Sequence, residues 1–256
     1  MTSVTSVASV AVVTRALEEG SSYGEVLAAL GLTVLAMPVT RTEPPADPDA
    51  LVRALADDYF AIVISSARGA QALAAAHAIA PRPLPQVWAV GPATERALAL
   101  AGITSHFPAG VFDAASLAQG LIAGGALHGK RVLVPRAEEG RDEGLAVLRG
   151  AGAIVDAVVA YRTVPVAAND ADVAVGKATL LARRAAATIV FAPSQVRALG
   201  EILAPCPFAE VATRWIAIGE TTATALRAHG LPVAVAASPT PAGIADAVRA
   251  VCSAAS

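Results

Sequence analysis

Cysteine is nearly absent from this 256-residue chain: Cys206 and Cys252 stand far apart, with no C-x-x-C spacing. That argues against a disulfide framework and a zinc site. The four histidines (His77, His106, His128 and His229) form no H-E-x-x-H motif and no i,i+4 pair, and no carboxylates cluster with them. No metal site and no cofactor are therefore expected. Charge is thin too. Charged residues are 16% of the chain and the net charge is −2, so no global field draws in nucleic acid or an anionic membrane. The longest apolar run, residues 26–39, is interrupted by Gly31, Thr33 and Pro38 and is too short and broken to span a bilayer. Residues 1–13 lack a basic n-region, so no signal peptide is expected. These absences lead to the expectation of a soluble, cytoplasmic protein with no nucleic-acid or membrane partner; a monomer is also expected. Three motifs are also missing: G-x-x-x-x-G-K-[ST], G-x-G-x-x-G and G-x-S-x-G, the marks of a P-loop, a dinucleotide fold and a nucleophile elbow.

What is present is apolar and repetitive. Apolar residues reach 55%, enough to bury a full core. Every basic residue except Lys130 and Lys177 is arginine, the side chain suited to bidentate carboxylate binding, although an Ala-rich composition bias would produce the same excess. Strand-like and helix-like runs alternate. Residues 10–14, 32–37, 60–64 and 87–90 read as strands, and 23–30, 67–80 and 92–101 as helices. Pro92 just inside a helix start, with Gly31 and Gly102 just past helix ends, follows the usual asymmetry. This β-α order implies parallel sheets covered on both faces.

The second half echoes the first at an offset of 120 to 128 residues. Ala11-Val-Val-Thr-Arg15 resembles Val132-Leu-Val-Pro-Arg136, and Ile62-Val-Ile-Ser-Ser66 resembles Ile189-Val-Phe-Ala-Pro193. Trp88-Ala-Val-Gly-Pro-Ala-Thr94 resembles Ile216-Ala-Ile-Gly-Glu-Thr-Thr222, and each leads into a helix ended by Gly102 or Gly230. Final helices around 116–122 and 243–251 also correspond. Residues 38–45 and 161–166, extended by prolines and β-branched residues, read as two connectors between domains, which would allow a hinge.

Each unit places small polar residues where a strand hands over to a helix: Ser65 and Ser66, Gly91 and Thr94, Pro193 and Ser194, Gly219 with Thr221 and Thr222. The first N–H groups of a helix are free there and its dipole favours an anion. Ordinary N-capping explains any one such turn equally well; four in matched positions favour an anion-binding cleft. Arg15, Arg68, Arg136 and then Gly140 and Arg141 could add charge-assisted contacts or lie solvated on the surface. Tyr161, at the start of the second connector, could pack in a core or present its phenol to a cleft.

Taken together, these segments resemble the uroporphyrinogen-III synthase family. The most specific is Ile216-Ala-Ile-Gly-Glu-Thr-Thr-Ala-Thr-Ala-Leu226 with Gly230-Leu-Pro232, followed by Ser238-Pro-Thr-Pro241. Val132-Leu-Val-Pro-Arg136 with Gly140, Arg141 and Gly152, then Val158-Val-Ala-Tyr-Arg-Thr163 and Phe191-Ala-Pro-Ser194, are similar to further family segments. The resemblance covers nearly the whole chain and is strongest from Lys130 onward.

It implies two flavodoxin-like α/β domains joined by a two-stranded linker, with a cleft between them. The first would comprise residues 1–38 plus 167–256, and the second residues 39–166. It implies that hydroxymethylbilane loses water and closes, with its last ring inverted, to uroporphyrinogen III, using no cofactor. It makes Tyr161 the catalytic residue that assists departure of the hydroxyl, and gives Thr222 and its counterpart Thr94 to the cleft. Eight substrate carboxylates call for many distributed donors and no strong nucleophile, which is catalysis by positioning. The chain departs from the family pattern at Ala192, often a hydroxyl residue, at Ala67, often proline, and at Glu138-Glu139 before Gly140. Two alternatives from other classes remain: a non-catalytic tetrapyrrole-binding or regulatory module, and a hinged solute receptor, disfavoured by the missing signal peptide.

Overall fold

The structure is a computed structural model that describes residues 9–17, 21–107, 114–123, 127–140 and 142–253. In chain order its elements are β1 (Val10–Val13), α1 (Ser22–Ala28), β2 (Thr33–Ala36), β3 (Thr40–Glu43), α2 (Ala50–Ala54), β4 (Ala61–Ile64) and α3 (Ala67–Ile79). Next come β5 (Gln86–Ala89), α4 (Pro92–Leu100), α5 (Ala114–Ala123), β6 (Arg131–Ala137), α6 (Glu143–Gly150) and β7 (Ile154–Pro165). The chain ends with α7 (Ala171–Leu181), β8 (Ala185–Val190), α8 (Pro193–Leu203), β9 (Arg214–Ala217), α9 (Glu220–Arg227), β10 (Val233–Val235) and α10 (Pro241–Ser253). The chain divides into two compact units, residues Met1–Arg41 with Val164–Ser256, and Thr42–Thr163.

The first unit holds a sheet ordered β2-β1-β8-β9-β10, parallel throughout. Its central strands β1, β8 and β9 are largely buried, and alternate residues serve opposite faces, as the two-residue period of a strand requires. Val12, Val190 and Ala217 join a core with Val173 of α7, Leu199 of α8 and Leu226 of α9. Their neighbours Val13, Ile189 and Ile216 join a second core with Leu27 of α1 and Ile244 and Val248 of α10.

The second unit repeats this arrangement. Its sheet runs β3-β7-β6-β4-β5, with the β7-β6-β4-β5 pairs parallel. Ile62, Ile64 and Leu133 pack with Leu73 of α3 and Leu98 of α4. Val63, Val132 and Val134 pack with Leu117 of α5 and Leu148 of α6. The internal repeat becomes literal here. Setting β6, β7, β4 and β5 against β1, β2, β8 and β9 gives the same spatial order in both sheets. The segment at His106, bridged in parallel to Trp88 of β5, then takes the place of β10. Gly102 and Gly230 end matched helices α4 and α9 with φ of +71° and +74°, a conformation that a residue with Cβ adopts only at a cost.

Residues 38–45 and 161–166 are not the bare connectors that their prolines suggest. β3 and β7 are neighbouring strands, and Tyr161 sits well inside the twelve-residue β7 rather than at the head of a linker. The Val166 N–H to Val39 O bond at 2.9 Å and the Arg162–Glu43 pair at 2.9 Å mark a ladder that pairs residues far apart in sequence. The prolines at 38, 44 and 45 flank β3 without interrupting it, which is where a strand tolerates them.

Candidate functional site: polar turns at the strand ends

In the first unit β1, β8 and β9 are adjacent and parallel, so the residues that follow them leave from one edge of the sheet. This places Arg15, Pro193, Ser194, Gly219, Thr221 and Thr222 together, at the edge where open α/β sheets bind ligands. Gly219 is the N-cap of α9 and carries no side-chain cap. The first bond of that helix is Ala223 N–H to Gly219 O at 3.0 Å, which leaves the N–H groups of Glu220, Thr221 and Thr222 outside the ladder. Thr222 is 3% exposed, so its side chain braces the turn from within rather than facing out. Glu220 is drawn along the helix by an ion pair with Arg227.

The turn at α8 is leaner. Its N-cap is Ala192, without a side-chain bond, and Pro193 at the first helical position has no N–H to offer. Gln195 N–H bonds to Ala192 O at 3.0 Å, so Ser194 supplies the remaining backbone donor. The departure at Ala192 therefore leaves a turn whose free donor belongs to the backbone.

In the second unit β6, β4 and β5 play the same part and gather Ser65, Ser66, Arg68, Gly91, Thr94, Arg136 and Gly140. Ser66 is the N-cap of α3, its Oγ accepting from Gly69 N–H at 3.0 Å. The capping interpretation is thus correct for Ser66, while Ser65 and Arg68 are both exposed to solvent. Gly69 lies close under this cap: a Cβ there would stand 3.2 Å from Ser66 Oγ and 3.5 Å from Pro135 O. The matched turns of α4 and α9 are not identical. Gly91 caps α4 with φ +80°, whereas Gly219 is extended. With Pro92 lacking an N–H and Thr94 N–H bonded to Gly91 O at 3.2 Å, the α4 turn keeps only Ala93 N–H free of the helix. Arg136 is committed within its own loop, paired to Asp142 and donating to the Gly140 carbonyl. Arg141 lies outside the described residues.

Tyr161 joins this second set. Its ring packs against the core that includes Ile62, Ile64 and Ala160, and its phenol oxygen lies 2.9 Å from Ser66 Oγ. The packing alternative holds for the ring, and the hydroxyl reaches the polar turn at Ser66.

Sequence reasoning missed Gln195. It is 8% exposed, and its Oε1 accepts from Phe191 N–H at 2.9 Å and from Thr14 Oγ1 at 2.7 Å, tying the end of β8 to the end of β1. A Gln at the third position of a helix that opens with proline was the available signal, because such a side chain reaches back over the helix start.

A large depression of about 590 Å³ lies elsewhere, at the opposite ends of β6 and β7. It is lined by Arg53, Asp57, Tyr59, Arg131, Arg149 and Asp156, but Arg131 is paired to Asp57 at 3.0 Å and Asp156 at 2.5 Å. Its charges largely satisfy one another, so the polar turns make the better site. Among the described residues no group of three His, Cys, Asp or Glu could hold a metal, and no helix is long and apolar enough to cross a membrane.

Two units, each built on a largely parallel sheet with backbone donors at its strand-to-helix turns, define an α/β protein. Residues 21–246 match the family model described as uroporphyrinogen-III synthase HemD. The chain therefore belongs to the uroporphyrinogen-III synthase family, cyclising lyases of tetrapyrrole biosynthesis. Its fold is that of solved family structures. A mutant uroporphyrinogen III synthase from the extreme thermophile Thermus thermophilus is 23% identical with a TM-score of 0.62, over 96% of this chain and 99% of that one. The enzyme from Helicobacter pylori is 15% identical with a TM-score of 0.61, over 95% and 99%. No curated protein sequence matches the chain.

Proposed function

We propose that this chain binds hydroxymethylbilane through backbone N–H groups at its strand-to-helix turns and uses Tyr161 to assist loss of the terminal hydroxyl as water. Closure with the last ring inverted then gives uroporphyrinogen III. The observation that carries this reading is the 2.9 Å contact between Tyr161 Oη and Ser66 Oγ. Ser66 already accepts from Gly69 N–H, so its own proton is available to the phenol oxygen. With Ser66 donating, the phenol proton is left for the departing hydroxyl, and the start of α3 supports the charge that builds on the phenol oxygen. As the proton transfers, the substrate's C–O bond breaks and water leaves.

The turns of α9, α8, α4 and α3 supply the complementary part. The backbone at Thr222, Gly219, Ser194 and Ser65, with the Ala93 N–H of the turn that Gly91 caps and buried Thr94 braces, places donors where carboxylate side arms would settle, and Arg68 adds a charge. The strand order of the first unit, which is 2-1-3-4-5 counted within that unit, supports a flavodoxin-like description of it. Such a site folds and steers a substrate that is already reactive, and requires no protein nucleophile.

Incubation with freshly generated hydroxymethylbilane, followed by separation of the type I and type III isomers, tests this reading. The type III isomer should dominate. A product mixture the same as that of the uncatalysed reaction would overturn it in favour of a non-catalytic tetrapyrrole-binding module.

A further inference from the structure

Arg15 and Arg136 occupy matched positions after β1 and in β6, yet their surroundings differ. Arg136 is paired with the Asp142 carboxylate and donates to the Gly140 carbonyl. Arg15 is held by aromatic rings. Its guanidinium carbon lies 5.2 Å from the centroid of Phe191 and 5.6 Å from that of Tyr23, both within cation–π range. The two rings meet edge to face, with centroids 5.1 Å apart and planes at 86°, so they form a corner around the cation.

The corner is itself braced. The Tyr23 phenol donates to Pro239 O at 3.3 Å, anchoring it to the loop before α10. Burial raises the Tyr23 pKa, opposed by the nearby Arg15 charge, so the phenol remains a neutral donor. Gln195 Oε1 accepts from Phe191 N–H and from the hydroxyl of Thr14, the residue that precedes Arg15. One buried amide oxygen thus fixes both a wall of the corner and the root of the arginine. Among the described residues no ion pair involves Arg15.

Aromatic faces orient a guanidinium without cancelling its charge or occupying its N–H donors. A carboxylate partner would do both. The arrangement suits an arginine that must remain available to an incoming anion and lose little freedom on meeting it.

We propose that Tyr23, Phe191 and Gln195 are positioning residues that hold Arg15 ready to receive one carboxylate side arm of the tetrapyrrole substrate. This rests on the reading given under Proposed function, and its test separates the two. In the wild-type protein, formation of the type III isomer reports on that reading alone. The cage is read from KM for hydroxymethylbilane in R15Q, F191L and the double variant. R15Q should raise KM about tenfold, the lower end for a hydrogen bond involving a charged group, with a smaller change in kcat. F191L should raise KM about two- to fivefold when Arg15 is present, and F191Y should restore it. In the double variant F191L should add nothing further, because the cation it orients is gone.

Fluorescence titration with uroporphyrin III, an octacarboxylate, gives the same comparison as Kd without turnover and keeps the question decidable if the wild-type protein forms no type III isomer. An unchanged KM and Kd in R15Q would overturn the proposal. So would an F191L effect of equal size with and without Arg15, which is the signature of a purely structural ring.

Discussion

The phenol oxygen of Tyr161 on β7 lies 2.9 Å from the Oγ of Ser66, the same oxygen that caps α3 through Gly69 N–H. One serine therefore joins a helix start to the proposed acid. Tyr161→Phe removes the proton donor and keeps the ring against its core. A loss in kcat of at least about tenfold is expected, below the full effect of general acid assistance because water or a substrate carboxylate can substitute. The isomer ratio among molecules that turn over should stay that of wild type, since steering belongs to the turns. Wild-type turnover by this variant would remove Tyr161 from the mechanism.

Ser66→Ala separates the cap from the catalytic support. Loss of an N-cap destabilises by about 0.5–2 kcal/mol. Ser66→Gly should recover most of that stability, since glycine is tolerated at an N-cap, but neither variant should recover kcat. A Gly variant with wild-type kcat would reduce Ser66 to a cap alone.

Thr222 is buried in the first turn of α9, where three N–H groups remain outside the helical ladder. Thr222→Met inserts a longer side chain into a filled space, at a cost of about 1–3 kcal/mol, and should displace those donors. A lower Tm together with a raised KM is expected. Thr222→Val keeps the shape and should leave KM within about twofold if the turn binds through its backbone. A raised KM in the Val variant with unchanged Tm would place the hydroxyl itself on the substrate.

Much of this architecture was legible in the sequence. Pro92, Gly102 and Gly230 marked helix boundaries because each restricts or frees φ in a way that local chemistry alone decides. The repeat of 11–15 at 132–136 was visible because buried strands need the same apolar run wherever they occur. No local signal carried the order of the second sheet. That β3 lies beside β7 depends on pairing between residues near 40 and near 165, which only the family resemblance implied, as a two-stranded linker. Residues 40–43 looked like linker because prolines flank them. Gln195 looked like any polar residue in a first helical turn. Its weight comes from Thr14, on a strand far away in sequence that happens to end beside it. Arg136 failed as a free anion receptor for the opposite reason, since its partner Asp142 lies only six residues on, in a loop whose path sequence does not specify.

Tyr59 offers a test of the second unit by pH. Burial, with the charge of Asp156 and a hydrogen bond to that carboxylate, pushes its phenol up to about 12 from an ordinary 10. A group whose folded pKa is raised contributes stability that is intact below the unfolded pKa and is lost as pH rises toward the folded one. Folding stability should therefore fall between about pH 10 and 12, and Tyr59→Phe should show a shallower fall over that window. The variant should be less stable than wild type near neutrality, since the Asp156 bond is lost. Parallel pH profiles for the two proteins above pH 10 would show that Tyr59 does not titrate in this way.

Gly243 is the third residue of α10. Its N–H is capped by Thr240 Oγ1 at 3.1 Å, and the loop folds back so closely that a Cβ on Gly243 would overlap the Ser238 carbonyl and stand 2.7 Å from Ser238 Oγ. In an unobstructed helix Gly→Ala is stabilising by roughly 1 kcal/mol. Here the sign should reverse, because the atom in the way is backbone and a rigid loop, with Pro239 and Pro241 on either side, has little room to yield. Gly243→Ala should lower stability by about 1–3 kcal/mol, the usual range for overpacking. The same loop supplies the Pro239 carbonyl that anchors Tyr23, so the damage should extend to substrate binding. A rise in KM is expected in the Arg15 protein and a smaller one when Arg15→Gln is also present. A more stable Gly243→Ala protein with unchanged KM would show that the Ser238 loop moves aside freely, and that the wall it gives Tyr23 is soft.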